Sequence, residues 1–344
     1  DDSSIVGASR YTHFDPGCRV DFNLGHTVSS VRNDTGFVIN PSSYDTRNTL
    51  SAGAGLRFFP GDLSTLRFSV QAGQSFGEGT LDDQKSLTGT SEFSRRLSER
   101  STGGLNLSRS WSDERNVDMT IDTAQLVYSI DLENGHFGIG AGGSKAKTEY
   151  TDGTTAENEA VTGFVERTWV SNDWRTSVEY NRRMSDSATD LSLNLPPAFS
   201  YLPDSVRLRE LVVSDSLMLT YNSQQLCSIC DLGFYSEGSI LESQLSGDTT
   251  YEYRAGINLG LQVTTLQRLR FGYSWNAEAD DDAGVIMDQV HRVTTSWTRQ
   301  LAEYTSFGVE FNQTYLDSKR PRDNEDEFEL RLVLSHGFSM SGLR

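Results

Sequence analysis

The chain has 344 residues, with 30 Lys and Arg against 48 Asp and Glu, a net charge of −18 and a pI near 4.7. So acidic a chain has little to neutralise phosphates with, and nucleic acid is not an expected partner. Mean hydropathy is −0.47 and no run of about 18 apolar residues occurs, which excludes a helical membrane span but not strands that alternate between lipid and water.

The chain opens on Asp1-Asp2-Ser3-Ser4, as a mature exported protein does after cleavage, and residues 1–16 read as a periplasmic segment. Alternation of apolar and polar residues, the mark of a strand with unlike faces, then begins. It centres on 19–26 (Val20, Phe22, Leu24), 49–58 (Leu50, Ala52, Ala54, Leu56, Phe58) and 65–73 (Leu66, Phe68, Val70, Ala72). Next come 91–97, 104–111, 123–132, 137–143, 161–170 and 174–181, the patterns at 91–97, 161–170 and, further on, 290–299 being less regular. After 212–221 and 230–235 the alternation is almost free of error: Tyr251, Tyr253, Ala255, Ile257, Leu259, Leu261 and Val263, then Leu269, Phe271, Tyr273 and Trp275. The series closes with 290–299, 305–315 and 327–338, sixteen segments in all, an even number as single-chain bacterial barrels have.

The connections alternate short and long. Short ones fall near 59–63, 98–102, 133–136, 171–173, 222–228, 264–267 and 300–303, one of them carrying the hairpin pair Asn134-Gly135. Long ones fall near 27–46, 74–90, 112–120, 144–160, 182–210, 236–248, 276–288 and 316–326. Together with the alternation, this parity predicts one closed antiparallel transmembrane β-barrel of about 16 strands over residues 17–339, with short periplasmic turns and long extracellular loops. Residues 340–344 would be a periplasmic tail. The long loops collect acid, as in Glu278-Ala279-Asp280-Asp281-Asp282 and Asp323-Asn324-Glu325-Asp326-Glu327, either as solvated loops or as cation bridges to the anionic outer leaflet.

No catalytic constellation emerges. The five histidines are scattered, and neither H-E-x-x-H nor G-x-S-x-G occurs, so no enzyme, no metal and no cofactor is expected. Of three cysteines, Cys227 and Cys230 form C-x-x-C without a second pair or a βαβ context. A local disulfide, a redox pair and free thiols all remain open, and Cys18 is left over.

The residues between the apolar ones would face the lumen. Arg57, Arg67, Arg175, Arg183, Arg254, Arg268, Arg270 and Arg331 fall there, with fewer acids, among them Glu252. The lumen therefore reads as locally basic. These arginines either pair with lumen carboxylates or form a track for a polar, anionic solute. On the second alternative Arg254, Arg268 and Arg270 set a basic periplasmic entrance.

Two stretches carry a family resemblance: Ser94 to Ser101 followed by Leu105 to Trp111, and Leu269 to Trp275. They resemble the strand–turn–strand units of exopolysaccharide-export-associated outer-membrane barrels. The resemblance implies a conduit that carries a secreted polysaccharide across the bacterial outer membrane beside a periplasmic export protein. The chain departs from such barrels at its end, where Phe338 is followed by six further residues. A general or solute-specific porin, and a barrel that anchors or sleeves another envelope complex, share every other feature. Outer-membrane lipid and lipopolysaccharide are the partners common to all three.

Overall fold

The computed structural model describes residues 7–14, 19–32, 44–77, 83–114, 117–150, 153–186, 211–224, 229–244, 247–280, 285–319 and 324–336. All of its regular structure is β, in seventeen strands. They are β1 (Gly7–Phe14), β2 (Val20–Arg32), β3 (Tyr44–Phe58), β4 (Ser64–Gly77), β5 (Gln84–Arg96), β6 (Ser101–Glu114), β7 (Val117–Leu132), β8 (Gly135–Tyr150) and β9 (Thr155–Val170). The second half holds β10 (Trp174–Asp186), β11 (Leu211–Ser223), β12 (Cys230–Ser243), β13 (Thr249–Thr264), β14 (Gln267–Asp280), β15 (Ile286–Ala302), β16 (Thr305–Ser318) and β17 (Glu325–His336).

Each strand pairs antiparallel with its neighbours in sequence. The sixteen segments legible in the sequence are β2 to β17, and β1 is an addition. Its eight residues, which lie in the segment read as periplasmic, pair with Asp21–Val28. Among the described residues no pairing joins β1 to β17, so the sheet has two open edges. Seventeen alternating strands make these edges run in the same direction.

The strands are longer than the sequence pattern suggested. β8 and β9 have 16 residues each, and their connection, expected over 144–160, shrinks to 151–154. Likewise 112–120 contracts to the two residues between β6 and β7. Past the apolar band both faces are polar, so alternation fades while the backbone ladder continues. The Asn134-Gly135 turn is displaced by one residue. Leu132 pairs with Gly135, leaving Glu133 and Asn134 as the loop. Gly135 has φ of 140°, and a Cβ there would meet the Thr168 carbonyl oxygen at 2.0 Å, so the position admits only glycine.

One face of the sheet is apolar and open, the other polar and shielded. In β12 every odd residue from Gly233 to Ser243 is buried, and the even residues between are not. Register carries that division across the sheet, because directly paired residues share a face. On the outer face Leu126 is 69% exposed, Val161 73% and Leu330 68%. On the inner face Tyr235 is 0% and Ser274 1% exposed. Soluble proteins hide the first kind of surface, whereas lipid takes it as its proper solvent.

The sheet has a seam between β9 and β10. The β9–β10 ladder runs from Arg175↔Val170 to Arg182↔Gly163 and stops, although β9 continues back to Thr155 and β10 on to Asp186. Beyond that point the β10–β11 hairpin turns inward. Met184, Leu211 and Val213 pack against Met119, Ile121 and Ala146 of β7 and β8, forming a small apolar core. The consecutive residues Leu211, Val212, Val213 and Ser214 are all buried, so this hairpin end is covered on both faces. Arg182 bridges the root of the seam. Its Nε donates to the Val161 carbonyl at 3.2 Å and its Nη1 pairs with Asp215 at 2.5 Å.

Candidate functional site

The inner face holds the chemistry. Register places Arg57, Arg67, Arg175, Arg183, Glu252, Arg254, Arg268, Arg270 and Arg331 on it together. They do not form a uniformly basic surface, because carboxylates on the same face meet at least four of the eight arginines. Arg67 pairs with Asp21 at 3.4 Å, Arg268 with Asp231 at 2.5 Å and Arg331 with Glu329 at 2.5 Å. Arg57 lies directly across from Arg67, and Arg67 is in turn opposite Glu92. Arg175 stands opposite Asn222, Arg183 opposite Ser214, and Arg270 opposite Gly260.

The densest part lies on β12, β13 and β14. Arg254 donates to Glu252 at 2.7 Å and lies 3.9 Å from Glu237. The Tyr235 hydroxyl donates to Oε2 of Glu237, and the Ser239 hydroxyl reaches its Oε1 at 3.4 Å. Glu252 is 3% exposed and Asn276 5%. Oε1 of Glu252 and Oδ1 of Asn276 are buried without a hydrogen-bond partner. Buried acceptors left unpaired cost free energy unless a donor or a cation visits them.

The expected entrance is therefore redistributed. Arg268 and Arg270 sit beside the short β13–β14 turn, whereas Arg254 lies ten residues back from it, opposite Asn276 and paired with acid. Glu278, expected in an external acidic loop, is on the inner face of β14 directly across from Glu252. Several inner-face residues had escaped the sequence pattern. Glu166 lies in β9, where the weak alternation left facing ambiguous. Glu237 lies in β12 beyond residue 235, where the pattern was no longer followed, and Asp231 lies at the start of that strand. Extending the parity of Leu232 and Phe234 by two residues would have found Glu237. Cys230 is disulfide-bonded, while Cys18 and Cys227 lie outside the described residues.

A charged belt crosses the outer face toward the longer-loop end. Arg109 meets Asp122 at 2.5 Å, Lys145 meets Glu157 at 2.8 Å and Glu159 at 3.5 Å, and Lys147 meets Glu149. The hydrogen bond from Lys145 holds the Glu157 carboxyl below the usual carboxylate range. These ion pairs end the apolar band defined by Phe137, Ile139 and Ala141 in β8 and by Val165 and Val161 in β9.

No protein-family model and no curated protein sequence matches the chain. Solved structures do match its fold. The ferric-catecholate import receptor Fiu from E. coli K12, in its closed form, aligns with a TM-score of 0.56 at 10% identity, over 97% of this chain and 69% of that one. The FrpB iron transporter from Neisseria meningitidis aligns with 0.53 at 9%, over 96% and 72%. The copper transporter OprC aligns with 0.56 at 8%, over 93% and 69%. In fold, as an antiparallel sheet of seventeen strands among the described residues, the chain is similar to bacterial outer-membrane β-barrel proteins. That fold and the apolar outer face together place the chain in the bacterial outer membrane.

Proposed function

We propose that the chain closes into a barrel and acts as an outer-membrane conduit for polar solutes, with the inner face as its water-filled wall. The observation that carries this is the division of faces. Exposed Leu, Val and Phe cover one side, while Ser, Thr, Asn, Arg and Glu cover the other over all the central strands. A wall polar on one side only, in a sheet of this width, suits an aqueous path across lipid. The fold neighbours, named as an import receptor and as iron and copper transporters, are consistent with transport. In planar bilayers the purified protein should open discrete ohmic channels. Absence of current from heat-modifiable, folded protein would favour a sleeve or anchor that needs no open path.

Closure admits two geometries. β17 can meet β1 in parallel, or it can displace β1 and meet β2 antiparallel, giving the even count of sixteen. Export of a secreted polysaccharide is a narrower form of this function. It is favoured by the strand–turn–strand resemblance around Ser94–Trp111 and Leu269–Trp275. On this reading a periplasmic export protein delivers the polymer to the short-turn end.

A further inference from the structure

The end of the β10–β11 hairpin carries its apolar side chains on a face that does not match where they lie. Tyr180 stands across from Val165 and from Leu217, all three on the outer face. Counting on by twos along β10 and back along β11 puts Arg182, Met184, Asp215, Val213 and Leu211 on that same face. In a wall laddered to its end, Met184, Val213 and Leu211 would meet lipid beside Val161. Instead they pack against the inner-face residues Met119, Ile121 and Ala146, and are 6%, 2% and 0% exposed.

Both the place the hairpin occupies and the place its parity points to are prepared for it. On β7 and β8 the inner residues nearer the short turns are Thr123, Gln125, Gly142 and Ser144, whereas Met119, Ile121 and Ala146 make an apolar patch under Met184. On the other side waits the unladdered stretch of β9. The Ser171 amide donates to the Trp174 carbonyl at 2.9 Å, and hydrogen-bonded pairs recur at every second residue of an antiparallel ladder. Continued past Gly163 and Arg182, the register makes Val161 and Met184 the next such pair. The Val161 carbonyl, which the Met184 amide would then reach, accepts from Arg182 Nε at 3.2 Å instead. Arg182 thus stands in for the next rung, and its Nη1 holds Asp215 at 2.5 Å. Asp215 also accepts from the Tyr180 hydroxyl at 2.5 Å, which ties the hairpin's two strands together at the bend.

We propose that the hairpin end is a gate with two seats: inward, as in this structure, it lies on Met119, Ile121 and Ala146 and narrows the conduit; outward, it zips onto Thr155–Thr162 of β9 and clears it. The inference rests on the conduit reading and adds its regulation. Different forces favour the two seats. The inward one shields Met119 and Ile121 from water. The outward one pairs alternate backbone groups of β9 near the lipid, where an unmet N–H or C=O is costly. In neither seat are Met184 and Val213 left in water, because one offers an apolar patch and the other lipid. The hairpin's own ladder is the same in both, so exchange is a hinge motion at Arg182 and its partner Asp215.

The test locks the outward seat. Val161→Cys combined with Met184→Cys places two thiols directly across the extended ladder, where a disulfide can close. In the inward seat the sheet separates them, Val161 on the lipid side and Met184 behind it. Peptide mapping verifies the cross-link, and gel migration, heated against unheated, verifies folding. In planar bilayers the wild type should step between two current levels. The oxidised double variant should lose the lower level, and dithiothreitol should restore it. Ile121→Ser, which spoils the inward seat without any cross-link, should lengthen the time spent in the upper level. A cross-link that never forms in the folded variant, or one that forms without removing the lower level, overturns the gate and leaves the conduit standing. So does an Ile121→Ser channel with wild-type dwell times. Folded wild-type protein that passes no current overturns both.

Discussion

Arg254 donates to Glu252, two residues away on β13, at 2.7 Å, and both side chains are shielded on the inner face. Residues at i and i+2 of a strand share a side, so the pair is built into the chain before any tertiary contact forms. A buried cation with acids on two strands ties those strands together. Removing one member strands the rest. Arg254→Ala should therefore cost about 3–5 kcal/mol of stability, as for other broken buried pairs. Arg331→Ala, at an exposed pair on the edge strand, should cost no more than about 1 kcal/mol. Urea unfolding of the protein refolded in micelles measures both, and equal losses would place Arg254 outside a buried network.

The seam between β9 and β10 makes a local prediction. Over Thr155–Thr162 the backbone of β9 is laddered to β8 but not to β10. Alternate amides there lack a strand partner, whereas those of Gly163–Val170 have partners on both sides. Hydrogen exchange in micelles should show fast alternate amides in the first stretch and slow ones throughout the second. Uniform protection from 155 to 170 would mean that β10 zips fully onto β9 in solution.

The apolar core behind that seam should be coupled to it. Met184→Ala removes a side chain that packs with Met119 and Ile121 and should destabilise the in-turned hairpin by about 2–5 kcal/mol. Protease cleavage near residues 183–186 should then speed up while the remainder of the sheet stays resistant. Unchanged cleavage would show that the hairpin is held by other contacts.

The belt on the outer face responds to pH in a defined direction. Glu157 has its pKa lowered by the hydrogen bond from Lys145, so its contribution is present above the unfolded carboxylate value and fades as pH falls through the folded one. Lys145 is raised by the same bond, and its contribution is lost only as pH rises through its own folded value. Lys145→Ala should return Glu157 to the ordinary carboxylate range in a side-chain NMR titration. An unshifted Glu157 would mean that the pair does not persist on the surface.

Much of this was legible in the chain and some was not, for physical reasons. Where lipid lies on one side and water on the other, alternation is enforced, and Tyr251–Val263 and Leu269–Trp275 map directly onto β13 and β14. Beyond the lipid both faces are wet, so Lys145 to Glu149 and Thr155 to Glu159 lose their period while remaining strand. β1 was missed because Ser9, Arg10, Tyr11, Thr12 and His13 offer a short and mostly polar segment. The nine inner-face residues fall where parity puts them, yet their pairing could not be read. Whether Arg268 meets Asp231 depends on β12–β13–β14 register, which joins positions 37 residues apart. Which acids meet Arg67, Arg254, Arg268 and Arg331 on the inner face was therefore out of reach of the sequence pattern.

The conduit is tested most directly by chemical accessibility joined to current. Ile257 and Asn258 are adjacent on β13, one on the lipid face and one on the inner face. Each is replaced by cysteine and treated in a planar bilayer with a membrane-impermeant, positively charged thiol reagent while current is recorded. Modification of Asn258→Cys should reduce the single-channel current stepwise, and Ile257→Cys should not respond. Loss of current at Ile257→Cys alone, or silence at a demonstrably labelled Asn258→Cys, would contradict a water path along the inner face.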